Sequence, residues 1–457
     1  MAPNLTVNSE HTRTQRIAKN GGLLVGAKLL GVILGLGSLS LATKFLQPYE
    51  WGTLVFFHAY MLFFSDVMAF QSWQSIIRYG ADDVHNKDAK KLGELIGFGI
   101  RLDAVAAVIA YIAALILFNL SVWFGEKYLG VTTMGEGLSA DDIKYYSGLY
   151  CLLILVRQRG ASIGVFRLFD QFDVLAWQAI IKPTIRFIGA VIAVVTGAGF
   201  EGFLWAWFCG SLSVYLFLPI MAIRELKRRH LLGSVFKAKV NFFRPDRNGL
   251  WSFVIKSNID STLGAATLHL PSLLVFVIFG PVWNGIYKIA EEVSKLLSEG
   301  FQLLDQVIYP ELARMVSEGK VQKIWRLTTQ AAVILFLFGC FMSAIFFAFG
   351  ETVLRWLANE SFAPAVPMAM VLVPAAAFMG AAAPLYPVFF AADRPERAII
   401  ARGAGVFIYI ISFLLLAKLL GPMSAAWAVF IGNFFTVIIV TLMAKQTLAQ
   451  RVKALEG

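Results

Sequence analysis

Charged residues placed inside long apolar runs are the first candidates for chemistry in this sequence. From residue 284 to 306, Asn284, Lys288, Glu291, Glu292, Lys295, Glu299, Gln302 and Gln306 recur at three- and four-residue steps. At about 100° per residue the five charges share an arc of roughly 100° on a helix. Each charge at mid-bilayer costs about 2.5–3.5 kcal/mol, so this face would cost on the order of 10 kcal/mol against lipid. Pairs such as Glu291–Lys295 and Lys295–Glu299 offset part of that cost. The stripe must therefore face protein or water, either as a charge ladder to neighbouring helices or as one wall of a hydrated lumen.

A second set is cationic. Lys28, Arg101, Lys182, Arg186 and Lys256 lie toward the same end of different apolar runs, with Arg157 and Arg159 near or below the middle of another. Each alone reads as a side chain snorkelling to the interface. Together with Lys288 and Lys295 they would make a cationic vestibule and lumen. A low-dielectric cleft of that kind attracts an anionic head group. Residues two apart point to nearly opposite faces of a continuous helix. One of Arg157 and Arg159 is therefore expected to face a cavity, and the other to pair or snorkel. Intramembrane acids suited to ion coupling are Asp66, Asp260, Glu291 and Glu299. Cys151, Cys209 and Cys340 are isolated and the five His have no ligand spacing, so no disulfide framework, metal site or cofactor is expected.

The elements that must position these residues are membrane spans. A 58% hydrophobic composition exceeds the roughly 45–50% of soluble domains. The apolar residues fall in about twelve runs of spanning length, predicting an all-α integral membrane protein. Segment 2 is expected over 52–77, segment 4 over 143–168 and segment 10 over 364–391. The last holds Pro364, Pro367, Pro374, Pro384 and Pro387, either as a bending helix or as packing kinks. The net charge of +11 does not indicate nucleic acid. Most Lys and Arg fall in the tails and even-numbered links, the positive-inside pattern, with both termini cytoplasmic. The densest run, Arg224 to Arg247, separates two lobes, 1–223 and 249–457, through a basic linker at 224–248. Contact with anionic lipid is its second use. The first apolar run is too long for a signal-peptide core and stays as segment 1.

The two halves echo one another. Phe45-Leu-Gln-Pro-Tyr-Glu-Trp-Gly-Thr-Leu54 and Phe279-Gly-Pro-Val-Trp-Asn-Gly-Ile-Tyr287 share a frame in which Pro48 matches Pro281 and Gly52 matches Gly285. Such repetition points to a duplicated transporter with two six-helix repeats.

The whole chain resembles the oligosaccharide flippases of the polysaccharide-transport branch of the multidrug/oligosaccharidyl-lipid/polysaccharide exporter superfamily. The resemblance is carried by Lys19-Asn-Gly21, Phe45 to Gly52, Gln71-Ser-Trp-Gln-Ser-Ile-Ile-Arg-Tyr-Gly80, Gly164 to Trp177, and Leu270 to Pro281 running on to Ala290. It implies two six-helix lobes forming a V around a central cavity, as in MATE-like transporters. It also implies a non-enzymatic flippase in a bacterial inner membrane. Such a protein moves polyprenyl-diphosphate-linked oligosaccharide to the outer leaflet by alternating access, for lipopolysaccharide or exopolysaccharide assembly. Implied partners are the lipid-linked substrate, membrane lipids, and a glycan polymerase with chain-length machinery; some relatives couple to an H+ or Na+ gradient. This chain has His269 and Pro271 where relatives often carry acids, which leaves Asp260, Glu291 and Glu299 as substitutes in that half. The rival readings are a cation-coupled multidrug antiporter, a membrane-embedded glycan-assembly enzyme, and a scaffold without transport. The antiporter favours an acidic, aromatic-lined pocket. The enzyme favours a long outer loop with catalytic groups, whereas 124–142 lacks His.

Overall fold

A computed structural model describes residues 13–124, 140–157, 159–237, 247, 249–317, 321–392 and 394–456. Among them every regular element is helical. Ten described stretches are long and apolar enough to cross a membrane. Two of these, Leu250–Leu296 (47 residues) and Glu396–Gln450 (55 residues), are too long for one crossing. At 1.5 Å per residue they would reach about 70 and 80 Å, against a hydrocarbon core of about 30 Å. Each breaks at a glycine with positive φ, Gly280 (φ 83°) and Gly421 (φ 54°), a conformation that L side chains rarely adopt. Divided there, the ten stretches become twelve, as the apolar runs predict.

By Cα packing the chain forms two units. The first comprises residues 1–46 and 57–265. Its helices are α1 (Arg13–Phe45), α2 (Pro48–Val67), α3 (Ser72–His85), α4 (Ala89–Phe124), α5 (Ala140–Val156), α6 (Gly160–Leu168), α7 (Phe172–Thr196), α8 (Gly199–Arg228), α9 (Leu232–Lys237) and the first part of α10 (Leu250–Ser317). The opening turns of α2 are the exception and pack with the second unit. Helix α7 packs on α1 and α8, while α3 packs on α4 and α6. A core of Ile76, Leu95, Phe98, Val165, Phe169 and Leu250 lies where these short helices meet. Just before α4, the Lys91 N–H donates to Asp88 Oδ1 at 3.0 Å. This backbone bond at the helix start holds the Asp88 carboxyl below the usual carboxylate range. Outward faces of the spans are apolar, as at Ile33, Ile109, Ile116 and Val195, which suits contact with lipid tails.

The second unit comprises residues 47–56 and 266–457. It holds the rest of α10, then α11 (Val321–Leu357), α12 (Ala365–Ala382), α13 (Tyr386–Ala391), α14 (Pro395–Leu420) and α15 (Ser424–Glu456). Helix α12 packs on α11 and α15, and α14 packs on α15. The proline-rich segment is mostly continuous helix, with Pro374 inside α12; it tightens into a 3-10 turn only at Ala383–Leu385. The packing boundary at 265 and the basic link at 224–248 are different divisions of the chain. The start of α10 follows the basic link in sequence, yet it packs with the first unit through Asn258 and Thr262, which donate to the Val67 carbonyl at 2.9 Å each.

The duplicated links have a direct structural meaning. Pro48 opens α2, and Glu50 Oε2 accepts from the Gln47 N–H at 2.8 Å, half of a capping box. One turn later, Gly52 faces the second copy. A Cβ on Gly52 would collide with the Pro281 carbonyl oxygen, and a Cβ on Gly285 would collide with that of Pro48. Asn284 seals the contact by donating to the Gly52 carbonyl at 2.8 Å, while Ser272 donates to Asn284. The four-residue Pro-to-Gly spacing thus puts one copy's glycine under the other copy's proline carbonyl, a reciprocal close crossing of small residues. Gly52→Ala is expected to lower the unfolding temperature in detergent by several degrees. Gly35→Ala, where no atom lies within 4 Å of the added Cβ, should leave it unchanged.

Candidate functional site

Two helices of the first unit stop and restart beside one cavity. Helix α2 ends at Val67 and the chain resumes as α3 at Ser72, so the single helix expected over 52–77 is broken at 68–71. Gln71, in the gap, has a left-handed backbone (φ 48°). Likewise the helix expected over 143–168 ends at Val156 and resumes at Gly160. No proline sits in either gap. Both restarts are held from outside by Asp103 of α4, which is buried. Its Oδ2 accepts from Ser72 Oγ at 2.9 Å and from the Ala161 N–H at 2.8 Å. One carboxylate thereby takes the Ala161 N–H at the first turn of α6, a donor that a helix start leaves unpaired, and ties it to the Ser72 hydroxyl at the start of α3. Gly160 is required there because a Cβ would collide with Ser72 Oγ and crowd the Asp103 carboxylate.

The cavity between the breaks measures about 230 Å³. Its polar wall includes Asp66, Gln71, Asp103, Arg157 and Arg159, with Trp73 alongside. Arg157 donates to Asp66 at 2.6 Å, and its side chain is only 8% exposed. Its Nε is buried without a hydrogen-bond partner. Arg159 has no carboxylate within 4.0 Å among the described residues. Tyr215 of α8, itself buried, stands 5.9 Å from both guanidinium carbons, a cation–π arrangement shared by the two arginines. Of the expectation that one arginine pairs while the other faces a cavity, the pairing is seen in Arg157 with Asp66, but the two do not face opposite ways. That expectation assumed a continuous helix, and residues 157 and 159 lie in the gap between two helices, so both line the same cavity.

The other predicted cations go elsewhere. Lys182 and Arg186 on α7 meet His58 of α2, at 3.4 and 2.9 Å from its Nε2. Ammonium and guanidinium groups only donate, so this nitrogen is the acceptor and the ring proton sits on Nδ1. Arg186 also donates to Ser211 and stacks over Trp207. Lys28 and Lys256 are exposed. Arg101, two residues from Asp103, and Asp260 are half-buried and do not line the cavity. In the second unit, Lys288 bonds Glu291 at 2.6 Å and Glu292 at 3.0 Å, and Lys295 approaches the same pair at 3.2 and 3.5 Å. These four charges on α10 sum to zero and neutralise one another along one helix face. The Glu299 side chain lies outside the described residues. Sequence reasoning passed over Asp103 and Trp73 as site residues. The signal was present: Asp103 is an acid in an apolar segment, and Trp73 stands beside the helix restart within a recognisable motif.

A family model described as polysaccharide biosynthesis protein matches residues 17–316. The chain belongs to that family. It is also 28% identical to the inner membrane protein YghQ of Escherichia coli (strain K12), over 70% of this chain and 85% of that one. Among solved structures, an inward-facing multidrug resistance MATE family transporter of the MOP superfamily superposes with a TM-score of 0.73 at 12% identity, covering 95% of this chain and 99% of that one. The lipid II flippase MurJ in an inward closed conformation gives 0.63 at 14% identity, covering 94% and 90%. These likenesses establish a MATE-like fold for this member of the polysaccharide biosynthesis family. Its ten spanning stretches make it a multi-pass membrane protein.

Proposed function

We propose that this chain is a non-enzymatic flippase of a bacterial inner membrane, moving polyprenyl-diphosphate-linked oligosaccharide from the cytoplasmic to the outer leaflet. The observation that carries this reading is Arg159, a cation lining the cavity with no carboxylate within 4.0 Å among the described residues. An intramembrane cation is costly unless something compensates it. A diphosphate entering the cavity supplies that compensation, and guanidinium groups match phosphate oxygens in bidentate fashion. Membership of the polysaccharide biosynthesis family and likeness to a lipid II flippase support the substrate class, and the YghQ relative supports the inner membrane. Alternating access carries the head group across while the lipid tail stays in the bilayer. Lipopolysaccharide or exopolysaccharide assembly would then use the product, through a glycan polymerase. A cation antiporter fits less well, because Arg157 occupies Asp66, and Ser72 with the Ala161 N–H occupies Asp103.

For coupling, we assign Asp66 the leading role. When phosphate draws Arg157 away, the Asp66 carboxylate loses its guanidinium partner and needs a proton or a sodium ion. Reconstitution in vesicles tests the transport reading. A fluorescent polyprenyl-diphosphate glycan should cross to the far leaflet only with folded protein present. Movement no faster than in protein-free vesicles, under either gradient, would refute it.

A further inference from the structure

Trp73 is placed with more care than packing demands. Its Nε1–H donates to Gln71 Oε1 at 2.5 Å, and Gln71 Nε2 in turn donates to Ser261 Oγ at 2.7 Å. An indole N–H can only donate, so the orientation of the Gln71 amide is fixed by its partners. Gln71 holds this position in a left-handed backbone, which costs a non-glycine residue of order 1 kcal/mol or more. The exposed Arg167 of α6 lays its guanidinium 4.2 Å from the centre of the indole. Rotation of the ring is thus opposed by a hydrogen bond at its edge and a cation on its face. Yet the ring lines the same cavity as Arg157 and Arg159. With its one polar atom spent on Gln71, it offers the cavity carbon surface alone.

A fixed π-surface in the same cavity as Arg159, which has no carboxylate within 4.0 Å among the described residues, suits a ligand with an anionic end and a flat, C–H-rich neighbour. Resting on the flippase reading above, we infer that Trp73 is a specificity-determining residue. In this role it stacks on the first pyranose ring of the lipid-linked glycan while Arg159 holds the adjoining diphosphate. The C–H face of a pyranose packs on the indole, and its hydroxyls turn to Ser65 and Asp66 on the same wall. Small residues in the same lining, Ala69, Ala106 and Ala107, leave room for the ring. Gln71 then acts as a positioning residue, setting the plane on which the sugar lies. Pre-organising the platform keeps the ordering cost out of the binding step.

The test uses the full chain in lipid nanodiscs and two probes, polyprenyl diphosphate and polyprenyl-diphosphoryl-N-acetylglucosamine. The wild type should bind the sugar-bearing probe roughly tenfold more tightly, the advantage expected of one good aromatic stack. Trp73→Ala should reduce that ratio to near one and leave affinity for the sugar-free probe within about twofold, while Trp73→Phe keeps most of the preference. Gln71→Ala should give an intermediate ratio. A ratio near one in the wild type, or an undiminished ratio in Trp73→Ala, would show the indole to be packing and overturn the assignment while leaving the flippase reading intact. Failure of the wild type to bind either probe would overturn both.

Discussion

Arg159→Ala is expected to abolish transport of the diphosphate lipid while leaving the protein as stable as before, or slightly more so. The two halves of this outcome have one cause. Burying a cation without a carboxylate in contact costs free energy, and among the described residues Arg159 has only the Tyr215 ring at 5.9 Å to offset it, with no acid within 4.0 Å. Removing it relieves the resting protein. In the loaded protein the same removal leaves a phosphate without its guanidinium, a loss of about 2–5 kcal/mol, or roughly 30- to 5,000-fold in affinity. Arg157→Ala should behave differently, because it strands Asp66, its partner at 2.6 Å. That variant should lose both transport and about 3–5 kcal/mol of stability, with Asp66→Asn/Arg157→Ala recovering most of the stability and none of the transport. Arg159→Lys should retain a fraction of activity, since a point charge replaces a planar fork. Flux and thermal unfolding of the same preparations decide the matter. Undiminished flux in Arg159→Ala, or a large fall in its unfolding temperature, would remove Arg159 from substrate binding.

The membrane architecture was legible because it follows from composition alone. Twelve apolar runs and the Pro-to-Gly echo both survive in the structure, which adds the breaks at Gly280 and Gly421 that divide the two longest stretches. The echo acquires a reason, since each glycine makes space for the other copy's carbonyl. What could not be read was where helices stop inside the membrane. Prolines were the obvious suspects, yet Pro183, Pro219 and Pro374 sit within continuous helices. The breaks that shape the cavity carry no proline, and only Gly160 marks one of them. At both restarts Asp103, 31 residues from Ser72 and 58 from Ala161, takes a donor from the first turn. A cap supplied from another helix leaves no local pattern. In the charge stripe of α10 the expected Glu291–Lys295 pair forms at 3.2 Å, whereas the contacts of Lys288 with Glu291 and Glu292 were not among the expected pairs. Which lysine reaches which glutamate depends on rotamers that spacing only bounds.

If Asp103 creates the two restarts, its removal should unmake them. Asp103→Ala strips a charged acceptor from Ser72 Oγ and the Ala161 N–H, both inside the protein. Hydrogen bonds to charged groups contribute about 1.5–3 kcal/mol each, so the loss should approach 3–6 kcal/mol. That corresponds to a fall of roughly 5–15 °C in unfolding temperature for a unit of this size. Cys151 provides the readout, because it is buried in α5 one turn and a half before the break. Thiol labelling, with the exposed Cys209 and Cys340 changed to Ser, should report opening of this unit. Ser72→Ala, which removes one donor along with its need, should cost far less. Gly160→Ala supplies the sharper check. In the wild type its methyl would run into Ser72 Oγ and the Asp103 carboxylate, so it should be strongly destabilising. In an Asp103→Ala background one of those obstacles is gone, and the two substitutions should be less harmful together than their sum. Simple additivity would mean that Asp103 does not clamp the α6 restart. Lost transport at an unchanged unfolding temperature would instead make it a direct ligand.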